Sequence, residues 1–162
     1  MIDILTNGLL SSPVPIQFTG NYCSHNCSYC FANINNPKRK LDIKAVTSQL
    51  KNYQNRNDLP SYFLREKYPL LISNNIDPFS KSNQPFVNDL IYQLQDIGVP
   101  VALATRGGIG WQEIANNITP SVWYVSLPYQ NDELRQKYEP QAPSVDERYQ
   151  LIETIIKQGH KV

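Results

Sequence analysis

The sequence predicts an α/β protein whose parallel strands are joined by helices. Three observations carry that prediction: short, continuously apolar runs, longer amphipathic runs between them, and turn or cap signals at the junctions. With 162 residues, 41% of them hydrophobic, the chain fits a single domain over residues 1–162 that can bury a real core.

Taken in order, residues 13–20 (PVPIQFTG) read as a strand, 41–54 (LDIKAVTSQLKNYQ) as a helix and 68–74 (YPLLISN) as a buried strand. Residues 52–58 are polar enough to read as a solvated loop. Over 84–98, Phe86, Leu90, Ile91, Leu94 and Ile97 recur at helical spacing, and Gly98 supplies a C-terminal cap. The pattern then repeats. Residues 99–105 (VPVALAT) form a strand, 110–118 (GWQEIANNI) a short helix and 121–127 (SVWYVSL) a strand. The last helix, 144–159, opens on Ser144 with Glu147 three residues on, a capping box. Strands apolar throughout and separated by helices imply parallel pairing with both faces covered.

Four strand–helix units result, and His160, Lys161 and Val162 stand where a fifth strand would begin. A closed eight-unit barrel needs about 250 residues. The expectation is therefore part of such a barrel, ending after about four units, or a small open sheet with an exposed edge.

Fifteen basic and fourteen acidic side chains leave a formal charge of +1, so a broad phosphate-binding surface is not indicated and a nucleic-acid partner has no support from charge. The opening residues MIDILTNGLLSSPVP lack a basic segment followed by a sustained apolar one. No later run approaches the roughly 18 apolar residues of a membrane span, so the expected location is the cytoplasm.

Cys23, Cys27 and Cys30 are the only cysteines, crowded into eight positions after the first strand. Disulfides among them would close tight loops that constrain little. Three readings stand. An iron–sulfur cluster held by three thiolates keeps one iron open for chemistry. A structural zinc needs a fourth ligand, for which His25 and His160 are the candidates, although His25 lies too near its neighbours in sequence to wrap one ion with them. Unligated, buried thiols are the third reading, and the polar neighbours Ser24, His25, Asn26 and Ser28 argue against it. The loop's position, at the C-terminal end of a parallel strand, is where such folds carry their sites.

The segment CSHNCSYC (23–30), with Tyr29 before the third cysteine, resembles the Cys-x3-Cys-x-aromatic-Cys motif of the radical S-adenosylmethionine superfamily. Further segments resemble its spore photoproduct lyase-like, or DNA repair photolyase-like, branch. These are NNIDPFSKSNQPF (74–86), LATRGG (103–108) and the stretch 125–162 with its Glu-Pro and following arginine helix, so the likeness spans 13–162.

The resemblance implies a partial (βα) barrel of radical SAM type, with a [4Fe-4S] cluster and S-adenosylmethionine as cofactors. It also implies a flavodoxin- or ferredoxin-type electron donor, and reductive cleavage of S-adenosylmethionine to a 5′-deoxyadenosyl radical that takes hydrogen from a small-molecule or macromolecular substrate. Cys23, Cys27 and Cys30 would hold the cluster and Tyr29 would border the adenine. Arg106 would pair with the methionine carboxylate, a geometry that suits a guanidinium fork. Ser126 would reach the ribose or carboxylate, and Asn75 with Asp77 would approach the methionine amine.

Each of these also has a plainer reading. Asp77-Pro78 can be a turn initiator, Arg106-Gly107-Gly108 a strand-to-helix turn, Ser126 a strand end and EPQAP (139–143) a rigid connector. Spore photoproduct lyases carry a further, hydrogen-donating cysteine, and none lies outside the loop here, so repair of that lesion is not implied. The other functional classes are a cluster- or cofactor-binding module without turnover and a zinc-stabilised structural domain.

Overall fold

A computed structural model of the chain describes residues 23–30, 42–72, 76–84 and 86–162, together with the backbone of 14–16. Among the described residues, β1 (Val14–Ile16), β2 (Leu70–Ile72), β3 (Val101–Thr105) and β4 (Val122–Val125) form an open parallel sheet in the order β1-β2-β3-β4. Val14 stands opposite Leu70, Leu70 opposite Val101, and Ala102 opposite Val122. Parallel neighbours in chain order require a crossover at every step, and helices lie between β1 and β2, between β2 and β3 and between β3 and β4, with two more after β4. They are α1 (Ile43–Leu50) and α2 (Leu59–Arg65) before β2, then α3 (Phe86–Asp96), α4 (Trp111–Asn117), α5 (Asp132–Tyr138) and α6 (Val145–Lys157).

The expected elements recur with shorter bounds. In α3 the apolar stripe Val87, Leu90, Ile91 and Leu94 is buried, and Gly98 follows at φ +73°, a left-handed position where a side chain would be strained. The capping box of α6 forms as expected: Ser144 Oγ accepts the Glu147 N–H at 3.2 Å, and Glu147 Oε2 accepts the Ser144 N–H at 2.7 Å.

Lys161 bridges Val122 in parallel. Its N–H donates to the Ser121 carbonyl at 2.9 Å, and its carbonyl accepts the Trp123 N–H at 2.8 Å. The stretch after Gly159 thus joins the sheet where a fifth strand would.

Three details correct the sequence reading. The polar stretch at 52–58 is only partly solvated, because Tyr53 begins a 3₁₀ turn, is buried, and donates from its hydroxyl to the Gly98 carbonyl at 3.1 Å. Two short helices went unread. Asp58 caps α2 by accepting the Ser61 N–H, with Pro60 in the first turn, and Asn131 caps α5 by accepting from Glu133 and Leu134. Both carry their signals in sequence, but seven residues are too few for a periodic pattern to stand out.

The third correction concerns sheet coverage. Leu70, Ile72, Leu103 and Trp123 lie in one buried cluster with Leu90, Ile91 and Leu94 of α3, Ile114 of α4, and Leu151 and Ile155 of α6. Trp123 stacks on Phe79 with centroids 5.5 Å apart. Alternation along β4 sends Tyr124 to the opposite face, where it is 38% exposed. Leu71 and Ala102 on that same face are fully buried, so both faces are covered at β2 and at the start of β3, and the opening at Ala104 and Tyr124 borders the site described next. Among the described residues no helix is long and apolar enough to cross a membrane.

Candidate functional site

Loops leaving the C-terminal ends of the strands meet on two buried carboxylates, Asp77 and Glu139. Asp77, after β2, folds back on its own backbone, its Oδ1 accepting the Phe79 N–H at 3.0 Å and the Thr105 hydroxyl at 2.7 Å. Its Oδ2 accepts the Arg106 N–H at 2.6 Å and lies 3.3 Å from Nε2 of His25. Thr105 in turn accepts the Gly107 N–H at 2.7 Å, so one carboxylate fixes the turn after β3 as well as its own.

The cysteine loop is pinned onto these turns mainly through His25, which is 3% exposed. Its Nε2 also lies 3.1 Å from the Gly107 carbonyl and its Nδ1 3.3 Å from the Gln141 carbonyl. Backbone bonds add to the seating: Gln141 N–H to the His25 carbonyl at 3.2 Å, and Ser28 N–H to the Tyr138 carbonyl at 2.8 Å. Ser24 and Ser82 exchange a reciprocal pair, each N–H donating to the other hydroxyl at 3.2 Å. The loop from 23 to 30 is thereby tied to the segments that follow β2, β3 and β4.

Gly108 permits the closest of these approaches. At φ +139° a Cβ would stand 2.1 Å from the Phe79 carbonyl oxygen, which accepts the Ile109 N–H at 2.8 Å. Only glycine fits there.

Cys23 is buried, Cys27 and Cys30 are half-buried, and no disulfide joins them. Burial pushes the Cys23 thiol up, and pushes that of Cys27 up to about 11 against the opposing pull of Arg106. A metal taking these sulfurs must therefore displace protons.

Among the described residues no three or more His, Cys, Asp or Glu side chains converge as they would on a single ion. The zinc alternative fares worse still. Both ring nitrogens of His25 face oxygen atoms of the protein. His160 lies at the opposite end of β4, its Nδ1 accepting the Ser121 N–H at 3.0 Å and its Nε2 2.7 Å from the Ala115 carbonyl. Neither histidine offers a fourth ligand. Three thiols on one loop are the number an open iron–sulfur cluster takes, one on each of three irons, whereas a closed zinc site needs a fourth donor that neither histidine supplies.

Glu139, after α5, is wholly buried and anchors the second network. Its Oε1 accepts from the Tyr29 hydroxyl and from Nε of Arg106 at 2.7 Å, and its Oε2 accepts from Nη2 of Arg148 at 2.6 Å. Arg106 also donates from Nη2 to the Tyr29 hydroxyl at 3.1 Å. Arg148, 1% exposed, donates further to the Pro143 and Ser126 carbonyls at 3.1 and 3.0 Å. Burial alone would raise the Glu139 carboxyl, but the hydrogen bonds from Tyr29, Arg106 and Arg148 outweigh it and hold it below the ordinary range. Burial and the bond to Glu139 push the Tyr29 phenol up to about 12.

These shifts fix the acid response. Beside Glu139, the hydrogen bond from Arg135 holds Asp132 down to about 2, and the Ser144 cap lowers Glu147. A carboxyl depressed on folding stabilises the protein above its unfolded value, about 4.3 for glutamate, and that contribution disappears as pH falls through the folded value. Stability measured by urea unfolding should therefore be level between about pH 7 and 5 and decline steadily below about pH 4. A curve flat down to about pH 3 would contradict this assignment.

A cleft of about 540 Å³ opens beside the two networks, lined by Asp77, Thr105, Arg106, Trp123, Tyr124 and Ser126 among others. Asp77, Arg106 and Ser126, all expected at a site, thus share one cavity, and Tyr29 reaches it through Arg106. Asn75 lies outside the described residues. The Arg106 guanidinium pairs with the protein's own Glu139, and the carboxylate of Asp77 is engaged by backbone and side-chain donors.

Sequence reasoning did not assign His25 as a clamp, nor Thr105, Glu139 or Arg148 to the site. Arg148 left a trace, falling on the apolar stripe of α6 with Val145, Leu151 and Ile155, where an arginine signals a buried partner.

Comparison with known proteins gives no match: no family model, no curated protein and no solved structure matches this chain.

Proposed function

We infer that this chain is a radical S-adenosylmethionine enzyme domain of the spore photoproduct lyase-like branch, built on a partial (βα) barrel. The observation that carries this reading is the seating of the three-cysteine loop at the C-terminal ends of parallel strands, where it shares Asp77 and Arg106 with a cleft. The barrel reading is supported by strand order. Right-handed crossovers between successive neighbours place every helix on the same face, whereas a doubly wound sheet reverses direction part-way.

On this reading Cys23, Cys27 and Cys30 hold a [4Fe-4S] cluster, and Asp77, Arg106 and Ser126 contact S-adenosylmethionine in the cleft; Asn75 is a further contact that the resemblance implies. Once reduced by a flavodoxin- or ferredoxin-type donor, such a cluster supplies the electron that splits S-adenosylmethionine into methionine and a 5′-deoxyadenosyl radical. The chain's own part is to bind and orient. His25 and Asp77 hold the cysteine loop against the strand ends, and the apolar walls Ile76, Trp123 and Val125 limit water in the cleft.

Anaerobic reconstitution with iron and sulfide tests the reading. The expected result is about four irons per chain, the content of the cluster type proposed, and continuous 5′-deoxyadenosine formation on addition of dithionite and S-adenosylmethionine. Cys27→Ala should abolish the 5′-deoxyadenosine and deplete the iron. Iron without 5′-deoxyadenosine would replace the enzyme by a cluster-binding module. One equivalent of zinc with no iron would replace both by a structural zinc domain.

A further inference from the structure

Arg106 reaches the cleft with its fork already half engaged. Its Nε donates to Glu139 at 2.7 Å and its Nη2 to the Tyr29 hydroxyl at 3.1 Å, while among the described residues its Nη1 has no hydrogen-bond partner. A side chain with this much rotamer freedom is otherwise costly to immobilise on a ligand. Here one edge of the guanidinium is fixed before any ligand arrives.

The fixing carboxylate does not itself line the cleft. Glu139 is wholly buried and held from behind by Arg148, which donates to its other oxygen at 2.6 Å and is locked in place by the Pro143 and Ser126 carbonyls. The order is thus Arg148, Glu139, Arg106, cleft, with Tyr29 of the cysteine loop bridging Glu139 and Arg106.

We propose that Glu139 is a positioning residue that orients Arg106, through one guanidinium edge, to receive the carboxylate of a ligand in the cleft. The proposal rests on the reading of the cleft as an S-adenosylmethionine site. It assigns the buried glutamate a role in discrimination that a merely structural salt bridge lacks. A packing defect weakens all ligands alike, whereas a misdirected Arg106 weakens only those that carry the carboxylate.

The experiment compares S-adenosylmethionine with decarboxylated S-adenosylmethionine, which lacks only that group, by calorimetric titration of the cluster-loaded protein under anaerobic conditions. Native protein should prefer the carboxylated ligand by about tenfold or more, the scale of one charge-assisted hydrogen bond. In Glu139→Gln, with iron content unchanged, the preference should fall by about tenfold, the share that Arg106 supplies, while the decarboxylated ligand binds as before. Glu139→Asp is read alongside it. That variant keeps a charge beside Arg148, so it protects the fold, yet it is one methylene too short to hold Arg106 as well. It should show the same fall.

A preference unchanged in the variant that folds, or equal weakening of both ligands, overturns the positioning role and leaves the functional reading intact. A native protein that takes up iron but shows no preference also overturns the positioning role. A native protein that takes up no iron and binds neither compound overturns the functional reading, and the positioning role with it.

Discussion

Replacing Arg148 with methionine is expected to destabilise the protein by about 3–5 kcal/mol, the cost of removing one partner from a buried ion pair. Its guanidinium is wholly enclosed, meeting the Glu139 carboxylate at 2.6 Å and two backbone carbonyls at 3.0 and 3.1 Å. Methionine fills much of the volume but leaves three acceptors facing nothing. Against a total stability of about 5–15 kcal/mol, such a loss brings the domain close to unfolding at moderate temperature, with a fall in Tm of roughly 6–20 °C.

Urea unfolding at 25 °C reads the effect, and a second variant assigns its cause. Adding Glu139→Gln to Arg148→Met tests this: Arg148 and Glu139 share one buried ion pair, so the double variant should lose less than the sum of the two single losses. If the two losses simply add, that pair is not the cause.

The second large effect is expected at Gly108. An alanine Cβ there would stand 2.1 Å from the Phe79 carbonyl oxygen, a backbone atom that cannot swing aside as a side chain would. Relief requires the turn after β3 to move away from the turn after β2, which stretches the Ile109 to Phe79 hydrogen bond. Strain of about 1–3 kcal/mol at the backbone and about 1 kcal/mol for the bond put the total near 2–4 kcal/mol. The displacement would also reach the cysteine loop, because Cε1 of His25 lies 3.5 Å from the same Cβ position. Gly108→Ala should therefore lose iron uptake as well as stability. A variant with native stability and native iron content would show that the turns are not locked together as described. Gly159 is the natural control, since a Cβ there meets nothing within 4 Å and lies at the far end of the sheet, so any cost should come from its φ of +82° alone.

Much of this arrangement can be read before any coordinates. The strands at 68–74 and 99–105, the helices at 84–98 and 144–159, and the capping box at Ser144 all depend on contacts within a few residues, which a linear pattern records directly. The cysteine spacing is equally local. It puts three thiols on one loop, while the partners to which both histidines turn are set only by the fold.

Less legible were the partners. Asp77, Arg106 and Ser126 could each be named from the family resemblance, but nothing in the order of residues says that Asp77 accepts from Thr105 and Arg106, 28 and 29 positions away. Arg106 illustrates the limit. As sequence it is a cation after a strand, and only the fold shows that one edge already rests on Glu139.

The amino-acid order by itself determined the class of fold, the bounds of its longer elements within a few residues, and the clustering of every thiol on one loop, because periodicity, capping and spacing are short-range properties of a chain. The tertiary structure alone decided which loops meet. It placed Glu139 between two arginines and His25 between Asp77 and two carbonyls, and it left Tyr124 rather than Trp123 on the more open face of β4. The physical reason is that buried polar groups must find partners wherever the folded backbone brings them, and for these residues the partners come from other strand ends, up to 116 positions along the chain.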